Sequence, residues 1–275
     1  MNDKLQENLF KINQNATMRL KDRILENFED NLVVNRISPD SGIEKMRGDR
    51  KGNPCVLVAA GASVAFNRDV MLDAQADGVD IIAANRVARH IPEATHVFNL
   101  TTEPMLKNHF MYDRPEGQIL VTSIYADPVA VKMWPAGHRL WYNVTSFGTG
   151  PEPLQEDIAS RIGGEIGSLT SAGIVSAQMV EFALFRGYAP IYCVGYDFAY
   201  FEGFTGPGCK RKVSMGDEGV REITANGEKM LSSNRLLTTL ALFDQTIKAH
   251  IDELHGRIIN VGGSKTWGPW IDPNK

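Results

Sequence analysis

The sequence predicts an α/β protein: a Rossmann-like, mostly parallel sheet with helices on both faces, preceded by an N-terminal helical arm. Three observations predict it. Short apolar runs recur that are nearly continuous rather than alternating, as strands covered on both faces require. Helical stretches separate them, the pattern of crossover connections in a parallel sheet. Turns rich in Gly, Ser, Asn and Thr follow the runs.

In chain order, residues 3–31 carry apolar positions such as Leu5, Leu9, Ile12, Leu20, Ile24 and Phe28 between charges, which predicts one or two amphipathic helices. The polar stretch 36–52, with Pro39, Asp40, Ser41 and Gly42, predicts a connection to the main domain. The chain therefore divides into an arm and connection over 1–50 and a nucleotide-binding domain over 51–275. Strands are predicted at 54–60, 79–84, 95–100, 118–124, 138–144, 190–195 and 257–261. Helices are predicted near 66–76, 127–134, 170–187 and 228–254. The stretches 151–168 and 200–224 are glycine-rich, fit neither period, and have the length of lids or substrate loops.

Composition narrows the function classes. The 275 residues hold 43% hydrophobic and 23% charged side chains, an ordinary globular balance for one to two domains. With 29 Lys+Arg against 33 Asp+Glu the net charge is -4, so no general attraction to a nucleic-acid backbone is expected. Cys55, Cys193 and Cys209 are odd in number and form no CxxC, which argues against a zinc knuckle or a disulfide framework; the first two lie in apolar runs and are expected to be buried. The six histidines show no ligand spacing. No run of 18 apolar residues occurs and the N-terminus lacks the apolar core of a signal peptide, so a cytoplasmic protein without a membrane span is expected.

Ligands of open parallel sheets bind outside the carboxyl ends of the strands. The residues placed there are Gly61, Ala62 and Ser63; Asn85 and Arg86; Thr101, Thr102 and Glu103; Ser123; Tyr196, Asp197 and Tyr200; and Gly262 to Ser264. The first turn, Val58-Ala59-Ala60-Gly61-Ala62-Ser63, has the strand–glycine–helix form of a phosphate-binding turn but is neither GxGxxG nor GxxxxGK[ST]. A tight turn capped by Ser63 accounts for it equally well. In Ser168-Leu169-Thr170-Ser171-Ala172-Gly173, hydroxyls and small residues open a helix, which fits either plain capping or close approach of a phosphate. An acid at the position of Asp197 can hold Mg²⁺, bind a ribose hydroxyl, act as a base, or cap the segment that follows it. The basic cluster Lys210, Arg211, Lys212 suits an anionic ligand or a solvated loop.

These residues also carry a resemblance. Gly61-Ala62-Ser63-Val64 resembles the G-P-S-L turn of the 6-hydroxymethylpterin diphosphokinase MptE-like family, which includes the motility-associated-factor flagellin glycosyltransferases. Leu169-Thr170-Ser171-Ala172-Gly173-Ile174-Val175-Ser176, then Gly187 to Ile191 and Val194-Gly195-Tyr196-Asp197-Phe198-Ala199-Tyr200, are similar to that family's second block and to bacterial CMP-sialic-acid sialyltransferases. Ala62 stands where the family has proline, Asn99 to Thr102 where it often has an aspartate, and residues 201–219 lack the histidine of glycosyltransferase members.

The resemblance implies a transferase. Its donor is a CMP-activated nonulosonic, sialic-acid-like sugar and its acceptor a small molecule or carbohydrate; the alternatives are Mg-ATP-dependent pyrophosphate transfer and nucleotide binding without catalysis. By position it assigns Gly61, Ala62, Ser63, Asn85, Thr170, Ser171 and Gly173 to the nucleotide, with Arg86 beside the phosphates. Asp197 and Glu103 become catalytic, Asp197 also the ligand of Mg²⁺, and Thr101, Thr102, Tyr196 and Tyr200 substrate-binding. No organic cofactor is implied. The arm's apolar face fits its own domain or a second subunit of a homo-oligomer.

Overall fold

The computed structural model describes residues 22–99, 116–146, 158–171, 174–200, 202–204, 206–207, 212–225, 227–254 and 256–262, with only the backbone of Asn85, Arg86, Asn99, Ser146, Ser171 and Ile251. Strand β1 (Cys55–Val58) lies third from one edge of an eight-stranded, wholly parallel sheet. The chain adds β2 (Asp80–Ala84), β3 (His96–Asn99), β4 (Ile119–Ser123), β5 (Arg139–Ser146) and β6 (Ser168–Ser171) in succession on one side of it. It then returns to lay β7 (Ile191–Val194) against the other side of β1, and a later strand, Ile258–Asn260, beyond β7. The strand order thus reverses between β1 and β7, with Leu57 opposite Cys193 and Val58 opposite Val194.

All four residues of β1 are buried, as the unbroken apolar run requires. Cys55 and Cys193 are buried and free, as expected; Cys209 lies outside the described residues. Helix α1 (Arg68–Ala76) buries Met71 and Ala74 against β1 and β2. Short α2 (Pro128–Lys132) starts with proline at its first position and Asp127 as its cap, the side chain accepting from Ala130 N–H at 2.8 Å. Helix α3 (Val175–Arg186) is buried on nearly every side because it is sandwiched between the sheet and α4 (Asn234–Ala249). Right-handed crossovers running in opposite directions along the sheet put α1 and α3 on opposite faces, the doubly wound arrangement.

Two local expectations are corrected. The helix expected from 170 begins only at Val175, because Ser168–Ser171 extends along β5 as β6. The helix expected from 228 begins at Asn234, after the antiparallel hairpin β8 (Val220–Ala225) and β9 (Glu228–Ser233). The connecting stretch 36–52 packs on the domain: Ile37 and Ile43 are buried, Gly42 bridges to Trp141, and 3-10 turns occupy Pro39–Ser41 and Ile43–Met46.

The described part of the arm is helical over 22–30 and continues as a π-turn, Asn31–Asn35. It packs on its own domain through a ladder of asparagines. Asn27 donates to Tyr125 O (2.9 Å), Asn31 to Ile124 O (3.0 Å) and Ala126 O (2.8 Å), and Asn35 to Asn31 Oδ1 (2.7 Å). Arg139 in turn donates to Asn35 Oδ1 at 2.9 Å. These side chains satisfy carbonyls of the turn after β4 that no strand or helix reaches.

At the amino ends of the strands, buried Arg186 forms a two-pronged pair with Asp49 (2.9 and 2.7 Å) and donates to His96 Nε2 at 3.1 Å. This cluster lies at the edge opposite the candidate site. It anchors the end of α3 to the segment that leads into β1.

Candidate functional site

The strand-order reversal puts the expected crevice outside the carboxyl ends of β1 and β7. Gly61 and Asp197 follow these two strands, and the structure brings them together. The Asp197 carboxylate lies against the turn that opens the 3-10 helix Ala62–Phe66. Ser63 N–H donates to Oδ2 at 2.8 Å, Ser63 Oγ donates to Oδ1 at 2.5 Å, and Ala62 N–H adds a third bond. Ser63 Oγ also accepts from Gly195 N–H at 3.2 Å.

Side chains have no space in this junction. A Cβ on Gly61 would stand 2.5 Å from Asp197 Oδ2, and one on Gly195, where φ is +75°, would stand 2.6 Å from Val64 Cγ2. Asp197 is 2% exposed, and burial pushes its carboxyl up to about 6 despite the Ser63 hydrogen bonds, which act the other way.

Asp197 is therefore a cap, but for a turn 134 positions earlier in the chain rather than for the segment that follows it. It takes the N–H groups of Ala62 and Ser63 that the sequence offers to a phosphate. Ser63 itself caps nothing in its own helix. With both oxygens engaged and the side chain enclosed, Asp197 does not present the open oxygen that a hydrated Mg²⁺ requires. Among the described residues no group of three or more His, Cys, Asp or Glu is arranged to hold a metal.

The second turn differs. Thr170 and Ser171 are strand residues, so the N-cap of α3 is Ile174, extended at φ -139° and ψ 136°, whose side chain has nothing to cap with. The helix is 12 residues long, and its first N–H groups and positive dipole end stand at the carboxyl edge. On the first turns of the same helix Gln178 is fully buried. Its Oε1 accepts from the Tyr142 hydroxyl at 3.0 Å, while its Nε2 has no hydrogen-bond partner among the described residues. Glu181, one turn on, accepts the edge-facing N–H of Thr170 at 2.5 Å and clasps strand to helix across the turn. Neither residue stands at a strand end, where the sequence points to ligand contacts. Their signal in the sequence is two polar side chains three apart in the otherwise apolar stretch Ala177 to Phe185.

Tyr196 is enclosed against Phe198 and Phe243 and donates to Ser176 O at 3.1 Å, so it ties β7 to the start of α3. Tyr200 is half-buried and its backbone N–H donates to Leu231 O at 2.8 Å, joining the β7 exit to the hairpin. Glu103, Thr101, Thr102 and Gly173 lie outside the described residues, as do Lys210 and Arg211. Asn85 and Arg86 open the 3-10 segment Asn85–His90 after β2, which places their backbone at the same edge.

No helix among the described residues is long and apolar enough to cross a membrane. No family model matches this sequence, and no curated protein matches it. Among solved structures, the chain is similar to one described as the structure of MAf glycosyltransferase from Magnetospirillum magneticum AMB-1. The TM-score is 0.49 and the identity 16%, over 77% of this chain and 34% of that one. The chain thus spans about a third of that protein's length, and the likeness is one of fold alone.

Proposed function

We propose that the chain is a nucleotide-dependent transferase that binds the phosphate of a CMP-activated, sialic-acid-like sugar at the turn between β6 and α3 and passes the sugar to a small or carbohydrate acceptor. The contrast between the two turns carries this reading. The β1 turn spends its N–H groups on Asp197, whereas α3 opens with an apolar cap and carries the unmet amide of Gln178 on its first turns. A helix N-terminus in that state suits the departing nucleotide phosphate, whose charge grows as the glycosidic bond breaks. The resemblance of residues 169–176 and 194–200 to glycosyltransferases points to the same turn.

A second reading, nucleotide binding without turnover, is favoured by one observation. Glycosyl transfer needs a base for the acceptor hydroxyl, and enclosed Asp197 does not present one. Thermal shift with CMP, CDP, CTP, AMP, ADP and ATP, each with and without Mg²⁺, tests both. A ligand at a thousand times its Kd adds about 4 kcal/mol to native stability. Stabilisation by cytidine nucleotides followed by turnover supports the transferase, and stabilisation without turnover against any acceptor supports the binder. A Mg²⁺-dependent response to ATP alone reassigns the chain to pyrophosphate transfer, and silence across the panel overturns nucleotide binding.

A further inference from the structure

Beside the junction of β1 and β7 lies an arrangement that the reading above does not use. Phe66 closes the 3-10 helix after β1 and is 57% exposed, an unusual state for a phenylalanine fixed on a rigid turn. The Phe204 ring stands 6.5 Å from it, tilted by 41°. Over Phe204, at 5.0 Å from its centroid, lies the Lys212 ammonium, which pairs with no carboxylate among the described residues.

The loop is held in this form. Gly203 N–H donates to Tyr200 O at 3.1 Å, and Val213 N–H donates to Gly203 O at 2.7 Å, which straps residue 212 alongside 203 and 204. Gly206 crosses so close to the β1 exit that a Cβ there would stand 3.2 Å from Ala60 O. The aromatic pair and the cation are thus fixed at the mouth of the crevice where the strand order reverses.

We propose that Phe66, Phe204 and Lys212 form a binding platform for a ring that carries a negative charge, the ring lying on Phe66 and the anion meeting Lys212. Aromatic faces take flat rings with little regard to sequence or substituent, and a cation already poised over an aromatic face supplies the counter-charge. Nucleoside monophosphates and acidic monosaccharides share this chemistry. The platform rests on the transferase reading only in that both place ligands at the carboxyl edge.

Titration calorimetry of the wild type, Phe66→Ala and Lys212→Ala with CMP and with glucuronate tests it, with cytidine, glucose and inorganic phosphate as controls. The expected result is binding of at least one ring anion, weakened about tenfold by Phe66→Ala, as for loss of one stacked ring. Lys212→Ala should lower the affinity and remove most of its salt dependence, Phe66→Trp should restore binding, and the uncharged controls should bind least. CMP or glucuronate as the preferred probe identifies the source. Failure of both to bind the wild type, equal binding by Phe66→Ala, or inorganic phosphate binding as well as the ring anions overturns the platform. CMP that binds Phe66→Ala and wild type alike overturns the platform while leaving the transferase reading intact.

Discussion

Ser63 gives both its backbone N–H, at 2.8 Å, and its hydroxyl, at 2.5 Å, to the two carboxylate oxygens of Asp197. This pair ties the exit of β1 to the exit of β7 where the strand order reverses, so the crevice floor of the doubly wound sheet is built from the chain's own anion.

Replacing Asp197 by Asn keeps the shape but turns one acceptor toward donors, a change expected to cost about 1–3 kcal/mol for a buried group left unsatisfied. The pH dependence gives the sharper check. The native carboxyl titrates at about 6, above its ordinary 3.8, so the fold favours the protonated form and loses stability as pH rises from 4 through 6. The Asn variant has no such loss. The gap between wild type and variant in urea unfolding should therefore narrow from pH 5 to pH 8, by about 1.4 kcal/mol; a gap that widens contradicts the assignment.

Gly61→Ala should destabilise the fold by about 1–3 kcal/mol, the range for a methyl forced into a filled site, because it meets Asp197 Oδ2. Thermal melts in the absence of any ligand read this directly. An unchanged midpoint means that the turn is looser than described.

How much of this was legible in sequence depended on range. Seven strands are legible because each centres on a short, mostly apolar run. Strand β6, Ser-Leu-Thr-Ser, did not, because it is a four-residue edge strand with Leu169 alone as its apolar anchor. The hairpin was hidden because exposed positions such as Arg221 and Glu222 fall between its half-buried ones. Asp197 stood out as a strand-end acid, but nothing local to either residue showed that it would be consumed by Ser63. Asn27, Asn31 and Asn35 are spaced four apart and fall on one helical face, but asparagines at that spacing suit a solvated face as well as a buried one, and only the carbonyls after β4, 93–98 residues later, decide between them.

That asparagine ladder predicts a cost. Asn31→Ala removes two donors from the carbonyls of Ile124 and Ala126 and the acceptor of Asn35 at a fully buried position. A loss of about 2–3 kcal/mol in urea unfolding is expected. A change below about 0.5 kcal/mol, typical of surface sites, means that the arm is not docked in solution.

His96 sets an acid limit. Burial first and the Arg186 guanidinium second push it down to about 4 from its ordinary 6.5. The fold thus favours the neutral ring, and the stability this contributes is complete above 6.5 and lost as pH falls from there toward 4. His96→Gln can still accept from Arg186 but does not titrate. The variant should therefore lose less stability than wild type between pH 7.5 and pH 5 in paired thermal melts; parallel pH curves contradict a neutral, buried His96.

The central claim is that a donor phosphate sits at the N-terminus of α3. Ile174→Asp and Ile174→Asn lose the same packing and gain the same kind of cap, but only the first puts a negative charge at the proposed phosphate position. CMP affinity measured by calorimetry for the wild type and both variants tests the claim most directly. Retention of CMP binding by the wild type and Ile174→Asn, with a loss of tenfold or more, about 1.4 kcal/mol, in Ile174→Asp, is the predicted result. Equal affinity in the two variants, or no CMP binding by the wild type, contradicts it.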